Sequence, residues 1–165
     1  MPPPRYDEDQ GSQLQPLKGI TVVTLEHAIA APFATRQLAD LGARVIKIER
    51  PGTGDFARGY DERVRGLSSH FVWTNRSKES LTLDVKNTDA GALLQRLIIE
   101  KADVVVQNLA PRLLRYYHRA IGIAAGSNGP RMDAVPALGQ HTDAILAELG
   151  IDSAAVAALH LAKAV

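Results

Sequence analysis

Gly19-Ile20-Thr21-Val22-Val23-Thr24-Leu25 is a run of mostly apolar and β-branched side chains that predicts a strand over about 19–25, covered on both faces. Glu26 to Ala31 follows as a loop of mostly small residues, and Pro32 suits a first helical position. Phe33, Leu38 and Leu41 predict the apolar side of a helix over about 32–41, which Gly42 stops. Residues 43–49 predict a second strand, so strand, helix and strand form a right-handed parallel unit. A long polar loop runs from Pro51 to Ser69 and contains four glycines, Gly52, Gly54, Gly59 and Gly66. Ser68 to Thr74 predicts a short helix with Phe71, Val72 and Trp73 turned inward, and alternation over Ser80–Val85 predicts a third strand.

Asn87 or Thr88 can cap a helix over Asp89–Glu100, with Leu93, Leu94, Leu97 and Ile98 on its inner face. Asp103–Val106 predicts the fourth strand, and Pro111 opens a helical stretch with Leu113, Leu114 and Tyr117. A glycine-containing linker precedes a helix led by Thr142 or Asp143, with Ile145, Leu146 and Leu149 facing inward. Gly150 ends it, and Ser153 is expected to cap a last helix through Val156 and Leu159. The expected class is α/β: a small open parallel sheet flanked by helices, with the C-terminal helices packing back on it.

Composition narrows the function. With 165 residues the chain suits one domain with an adequate core. A net charge of +1 argues against a nucleic-acid or membrane partner. The absence of cysteine removes disulfides, thiolate metal sites and cysteine nucleophiles. The five histidines show no metal spacing, so no metal site is expected. No apolar run reaches the ~20 residues a membrane span needs, and the N-terminus lacks a secretory pattern; the expected location is cytoplasmic.

Ligands of open parallel sheets bind beyond the carboxyl ends of the strands. Arg50, Lys86 and Asn108 fall at the ends of predicted strands two, three and four. Arg50 stands where related folds read a ribose hydroxyl or its phosphate, and a guanidinium can hold phosphate through two hydrogen bonds. Lys86 could serve a pyrophosphate, and Asn108 could bond a ligand or simply satisfy backbone groups. Ala28, Ile29, Ala30 and Ala31 would let a ligand approach the backbone amides of the first helix. The glycine fingerprint of nicotinamide enzymes is missing after the first strand, which disfavours an oxidoreductase.

The segments Ala31-Pro32-Phe33-Ala34-Thr35, Leu38 to Ala43, Val45 to Pro51 with Gly54-Asp55, Asn75 to Asp84 and Ala102 to Asn108 occur in order over residues 17 to about 111. They resemble the start of the family III CoA-transferases, a group that includes carnitine-CoA transferases and α-methylacyl-CoA racemases. Asp133 to Asp143 resembles the family's closing segment. Residues 1–16, rich in Pro, Asp, Gln and Ser, are expected to be a disordered extension. By the resemblance the rest divides into an incomplete Rossmann-like CoA-binding domain (17–118), a linker at an apparent deletion (119–130) and a C-terminal helical segment (131–165).

The resemblance implies a protein that binds the nucleotide part of an acyl-CoA. The parent reaction moves coenzyme A between carboxylic acids; the thioester is substrate, and no tightly bound cofactor is implied. The implied binding residues are Ala28, Ile29 and Ala30 through their backbone, with Arg50, Leu83, Lys86 and Asn108. The family's nucleophilic aspartate lies in the region this chain lacks. None of Asp103, Asp133, Asp143 or Asp152 matches its motif, so no catalytic residue is carried over and turnover is expected to be weak or absent. The alternative is a non-catalytic remnant or interaction module, as a homodimer or paired with a full-length homologue.

Overall fold

A computed structural model describes residues 15–109 and 131–165. Four strands, β1 (Thr21–Leu25), β2 (Arg44–Glu49), β3 (Lys78–Thr82) and β4 (Val104–Gln107), form one sheet in the order β3-β2-β1-β4. All three pairings are parallel. The described helices are α1 (Ala30–Asp40), α2 (Ser69–Asn75), α3 (Thr88–Lys101), α4 (Thr142–Glu148) and α5 (Ser153–Leu161). The α/β expectation holds. The predicted extension before Gln15, the Pro111 helix and the linker at 119–130 lie outside the described residues.

Two chemically different layers cover the sheet. Val23, Leu25, Ile46, Ile48, Leu81 and Leu83 meet Leu93, Leu94 and Leu97 of α3 and Ile145 and Leu146 of α4 in the main apolar core. Val156 of α5 joins the same cluster, so the C-terminal helices pack back as expected. The opposite face carries a smaller apolar patch of Val22, Val45, Ala39 and Ala43. Beside that patch lie Thr24, Lys47, Glu49, Lys78 and Ser80, all buried and all polar.

Three local expectations change. The buried residues of α1 are Ala31, Pro32, Thr35, Ala39 and Asp40, and the small Ala31, Thr35 and Ala39 at helical spacing let the helix lie close on the sheet. Phe33 is exposed and pairs with Trp73, which is 48% exposed; only Phe71 of the predicted inward trio is buried. Asp152, not Ser153, caps α5, because its carboxylate accepts the Ala155 N–H at 2.8 Å. Asn87 caps α3 as predicted, accepting from Asp89 and Ala90.

Residues 131–142 run along the outer edge of β3. Ser77 N–H donates to the Ala134 carbonyl, and His141 N–H donates to the Ser80 carbonyl. Ser80 N–H donates to His141 Nδ1, and Thr82 N–H to the Thr142 hydroxyl. An edge that would otherwise offer unpaired backbone groups is thereby covered.

Candidate functional site

Parallel strands put Arg50, the first loop and Asn108 on one rim, past the ends of β2, β1 and β4. Lys86 follows the end of β3. Between Arg50 and Lys86 lies a groove of about 790 Å³, lined also by Thr53, Asp84, Lys163 and Val165. Arg50 sits in a tight turn closed by the Gly54 N–H on the Arg50 carbonyl. Gly54 has φ +65°, and a β-carbon there would come within about 3 Å of Glu49, Leu138 and Arg58. Lys86 is held by its N–H on the Asp84 carboxylate at 3.1 Å.

The first loop is fixed from the far edge of the sheet. Asn108 Oδ1 accepts the His27 N–H at 2.9 Å, and its amide donates to the His27 carbonyl at 3.0 Å. Ala28, next in the chain, has φ +62°. A non-glycine residue in that region is uncommon and marks a loop held in shape by its surroundings. Ile29 and Ala30 are exposed, and the start of α1 has no side-chain cap and no acid in its first turn. Pro32 has no N–H and the Phe33 N–H bonds the Ile29 carbonyl, so the free first-turn amides are those of Ala30 and Ala31, with the helix dipole behind them. Leu83, by contrast, gives its side chain to the core and its N–H to the Glu49 carbonyl.

Of the sequence-predicted residues, the groove brings together Arg50 and Lys86. Ala28, Ile29, Ala30 and Asn108 form the neighbouring loop and its clamp, and Leu83 lies beneath.

Sequence reasoning missed the ionic cluster under this rim. Lys47, fully buried, reaches Asp55 at 2.7 Å and Glu26 at 3.6 Å. Lys78, also fully buried, reaches Glu26 at 2.7 Å, the Pro32 carbonyl and Asn75. Glu26 further accepts the Thr24 and Thr35 hydroxyls. Glu49 takes Arg58 at 2.7 Å, the Ser80 hydroxyl at 2.6 Å and the Asp55 N–H. His27 Nδ1 lies 3.6 Å from Asp55, and its ring stacks on Phe56. The signal was present: Lys47 and Glu49 stand at period two among Val45, Ile46 and Ile48. Such residues in a central strand must find partners across the sheet.

Burial pushes the Glu26 carboxyl up, but the Lys78 and Lys47 ammonium groups outweigh it and hold the group below its ordinary 4.5. Glu49 and Asp55 are likewise raised by burial and brought below their ordinary values, by Arg58 and Lys47 respectively. Burial lowers Lys78 to about 8, against the pull of Glu26.

The sign follows from proton counting. The carboxylates contribute stability above their ordinary values, and that contribution is lost as pH falls through the lower folded values. Lys78 binds fewer protons folded than unfolded between about 8 and 10.5, so its contribution rises with pH in that window. The urea midpoint is expected to fall steeply below pH ~4 and to hold from pH 7 to 9. A midpoint that drops between pH 8 and 9 contradicts the depressed lysine.

The chain is a parallel α/β protein whose sheet carries Arg50, Lys86 and the loop before α1 at its carboxyl rim. The chain belongs to CoA-transferase family III, whose sequence profile matches residues 17–119. It is 41% identical over 99 residues to the acetyl-CoA:oxalate CoA-transferase of Acetobacter aceti, covering 60% of this chain and 25% of that protein. It is 37% identical over 101 residues to the human succinyl-CoA:glutarate CoA-transferase, covering 61% and 23%. Among solved structures, a hypothetical protein of Mycobacterium tuberculosis matches with a TM-score of 0.55 and 37% identity, over 60% of this chain and 27% of that one. A CAIB/BAIF family protein of Brucella suis matches with a TM-score of 0.54 and 37% identity, over 59% and 26%. The chain thus spans about a quarter of the length of the relatives it matches.

Proposed function

We propose that this chain binds the nucleotide part of an acyl-CoA along the carboxyl rim of its sheet, and that it transfers coenzyme A between carboxylic acids weakly or not at all. The observation that carries the reading is the groove shared by Arg50 and Lys86, at the ends of neighbouring parallel strands. The uncapped start of α1 beside it suits a second anionic group. The oxalate and glutarate transferases that resemble this chain support a thioester as substrate.

The four aspartates weighed as nucleophiles have structural work instead. Asp103 accepts the Thr21 N–H at the opposite end of the sheet, and Asp133 pairs with Arg131 at 2.8 Å. Asp143 meets His160, and Asp152 caps α5.

Coenzyme A at a hundred times its dissociation constant is expected to stabilise the fold by about 2.7 kcal/mol, a rise in Tm of roughly 5–10 °C for this size. Arg50→Ala should remove that rise without lowering the ligand-free Tm, because Arg50 is exposed. Calorimetric scans of both proteins check this; an unchanged shift in Arg50→Ala removes the groove from the reading. A labelled acyl-CoA exchange assay on the same samples reads turnover, and brisk exchange contradicts the weak-transfer part.

A second reading, pairing with a full-length homologue, has its own support. His27, Phe56, Tyr60, His70, Trp73 and Phe33 form a continuous track with neighbouring ring centres 5.3–5.8 Å apart. Phe56, Tyr60 and Trp73 are about half exposed, as surfaces awaiting a partner are. Sedimentation with and without such a homologue separates the two readings.

A further inference from the structure

Lys163 has played no part in the site so far. It follows α5 with φ +54°, a left-handed conformation that a lysine adopts only when its neighbours impose it. They do: the Lys163 N–H donates to the His160 carbonyl, the Ala164 N–H to Leu159, and the Asp84 N–H to the Ala164 carbonyl. Ala164 and Val165 are buried on either side of that last bond, so the backbone is pinned to the end of β3. The Lys163 side chain is exposed and lines the groove that holds Arg50 and Lys86.

Three cations from distant parts of the chain therefore meet in one place. Asp84 is the acidic side chain in the lining, where Val165 also stands, and one Asp84 oxygen already accepts the Lys86 N–H. Among the described residues Arg50, Lys86 and Lys163 have no ion-pair partner, a state they share with Lys18, Arg63, Arg65 and Lys101; what sets the three apart is that they line one groove. Gathering like charges costs energy that an anion in the groove would offset.

Position selects the anion. In parallel nucleotide-binding sheets the pyrophosphate rests on the helix after β1, and the ribose is read at the end of β2. The groove sits at the ends of β2 and β3, one and two strands from β1, or about 5 and 10 Å. That is the ribose side. A phosphate monoester carries about −1.5 to −2 charges at pH 7 and suits three convergent cations. We infer that Lys163, together with Arg50 and Lys86, holds the phosphate monoester on the ribose of the coenzyme A nucleotide, and that Lys86 serves this group rather than the pyrophosphate.

The inference rests on the coenzyme A reading above, and the test separates them. Titration calorimetry of the full chain would compare coenzyme A with dephospho-coenzyme A, which lacks only that phosphate. Wild type should favour coenzyme A, and raising salt should shrink the preference. Lys163→Gln should weaken coenzyme A about fivefold and leave dephospho-coenzyme A unchanged, while Lys163→Arg keeps the preference. Equal weakening of both ligands by Lys163→Gln, or of neither, overturns the assignment while the coenzyme A reading stands. Wild type that binds both ligands equally overturns it as well, whether or not the variants fold. If wild type binds neither, the coenzyme A reading fails and takes this assignment with it.

Discussion

Lys47→Met is expected to destabilise the protein by about 3–5 kcal/mol, the usual result of breaking a buried ion pair by removing one partner. Lys47 has no exposed surface and lies between Asp55 and Glu26. Methionine fills nearly the same volume, so the loss measures charge rather than a cavity. Asp55 would be left buried with its ammonium partner gone, and Glu26 would keep Lys78 alone. Lys47→Met combined with Asp55→Asn should recover much of the loss. The asparagine oxygen can still accept the Ala57 N–H that Asp55 accepts, and no orphaned charge remains. Urea melts of the two variants and wild type decide the matter. A single variant as stable as wild type would show that water reaches the cluster.

Leu146→Ala should cost about 2–5 kcal/mol, because Leu146 is wholly buried between α4 and the sheet. The location matters as much as the size. If residues 131–165 were a separate appendage, this change would loosen α4 and α5 and leave the sheet intact. The shared core predicts one cooperative transition moved as a whole. Trp73, the single tryptophan, lies in α2 on the opposite face and reports on that side independently. Its fluorescence and the far-ultraviolet dichroism should give the same lowered midpoint. Two separate midpoints would contradict a common core.

How far the fold could be read from sequence depended on which face of the sheet a residue served. On the α3 side the rules of apolar periodicity worked: Leu93, Leu94, Leu97 and Ile98 are buried as predicted, together with Ala90. On the α1 side they misled. Alternation placed strand three at Ser80–Val85, whereas β3 spans Lys78–Thr82 and begins on a lysine. The lysine is inside because Glu26, 52 positions earlier, receives it. Phe33 and Trp73 failed for the converse reason: hydrophobicity suggested burial, but Ala31, Thr35 and Ala39 already fill the contact with the sheet.

The same division holds for the site. Arg50 and Lys86 were legible because strand ends in a parallel sheet have a known meaning. The clamp of Asn108 on His27 spans 81 positions. The arrival of Lys163 beside Arg50 depends on a backbone bond from Asp84 to Ala164. No local pattern announces either contact.

The strip at 131–142 along β3 also bears on synthesis. A nascent chain that has emerged only as far as β4 holds four strands able to assemble, yet β3 still presents bare amide and carbonyl groups to any passing strand. Among the described residues, the groups that cover this edge belong to Ala134, His141 and Thr142, which leave the ribosome later. Until then this protein is at its most vulnerable to clumping, and translation stalls within that interval should be its most hazardous.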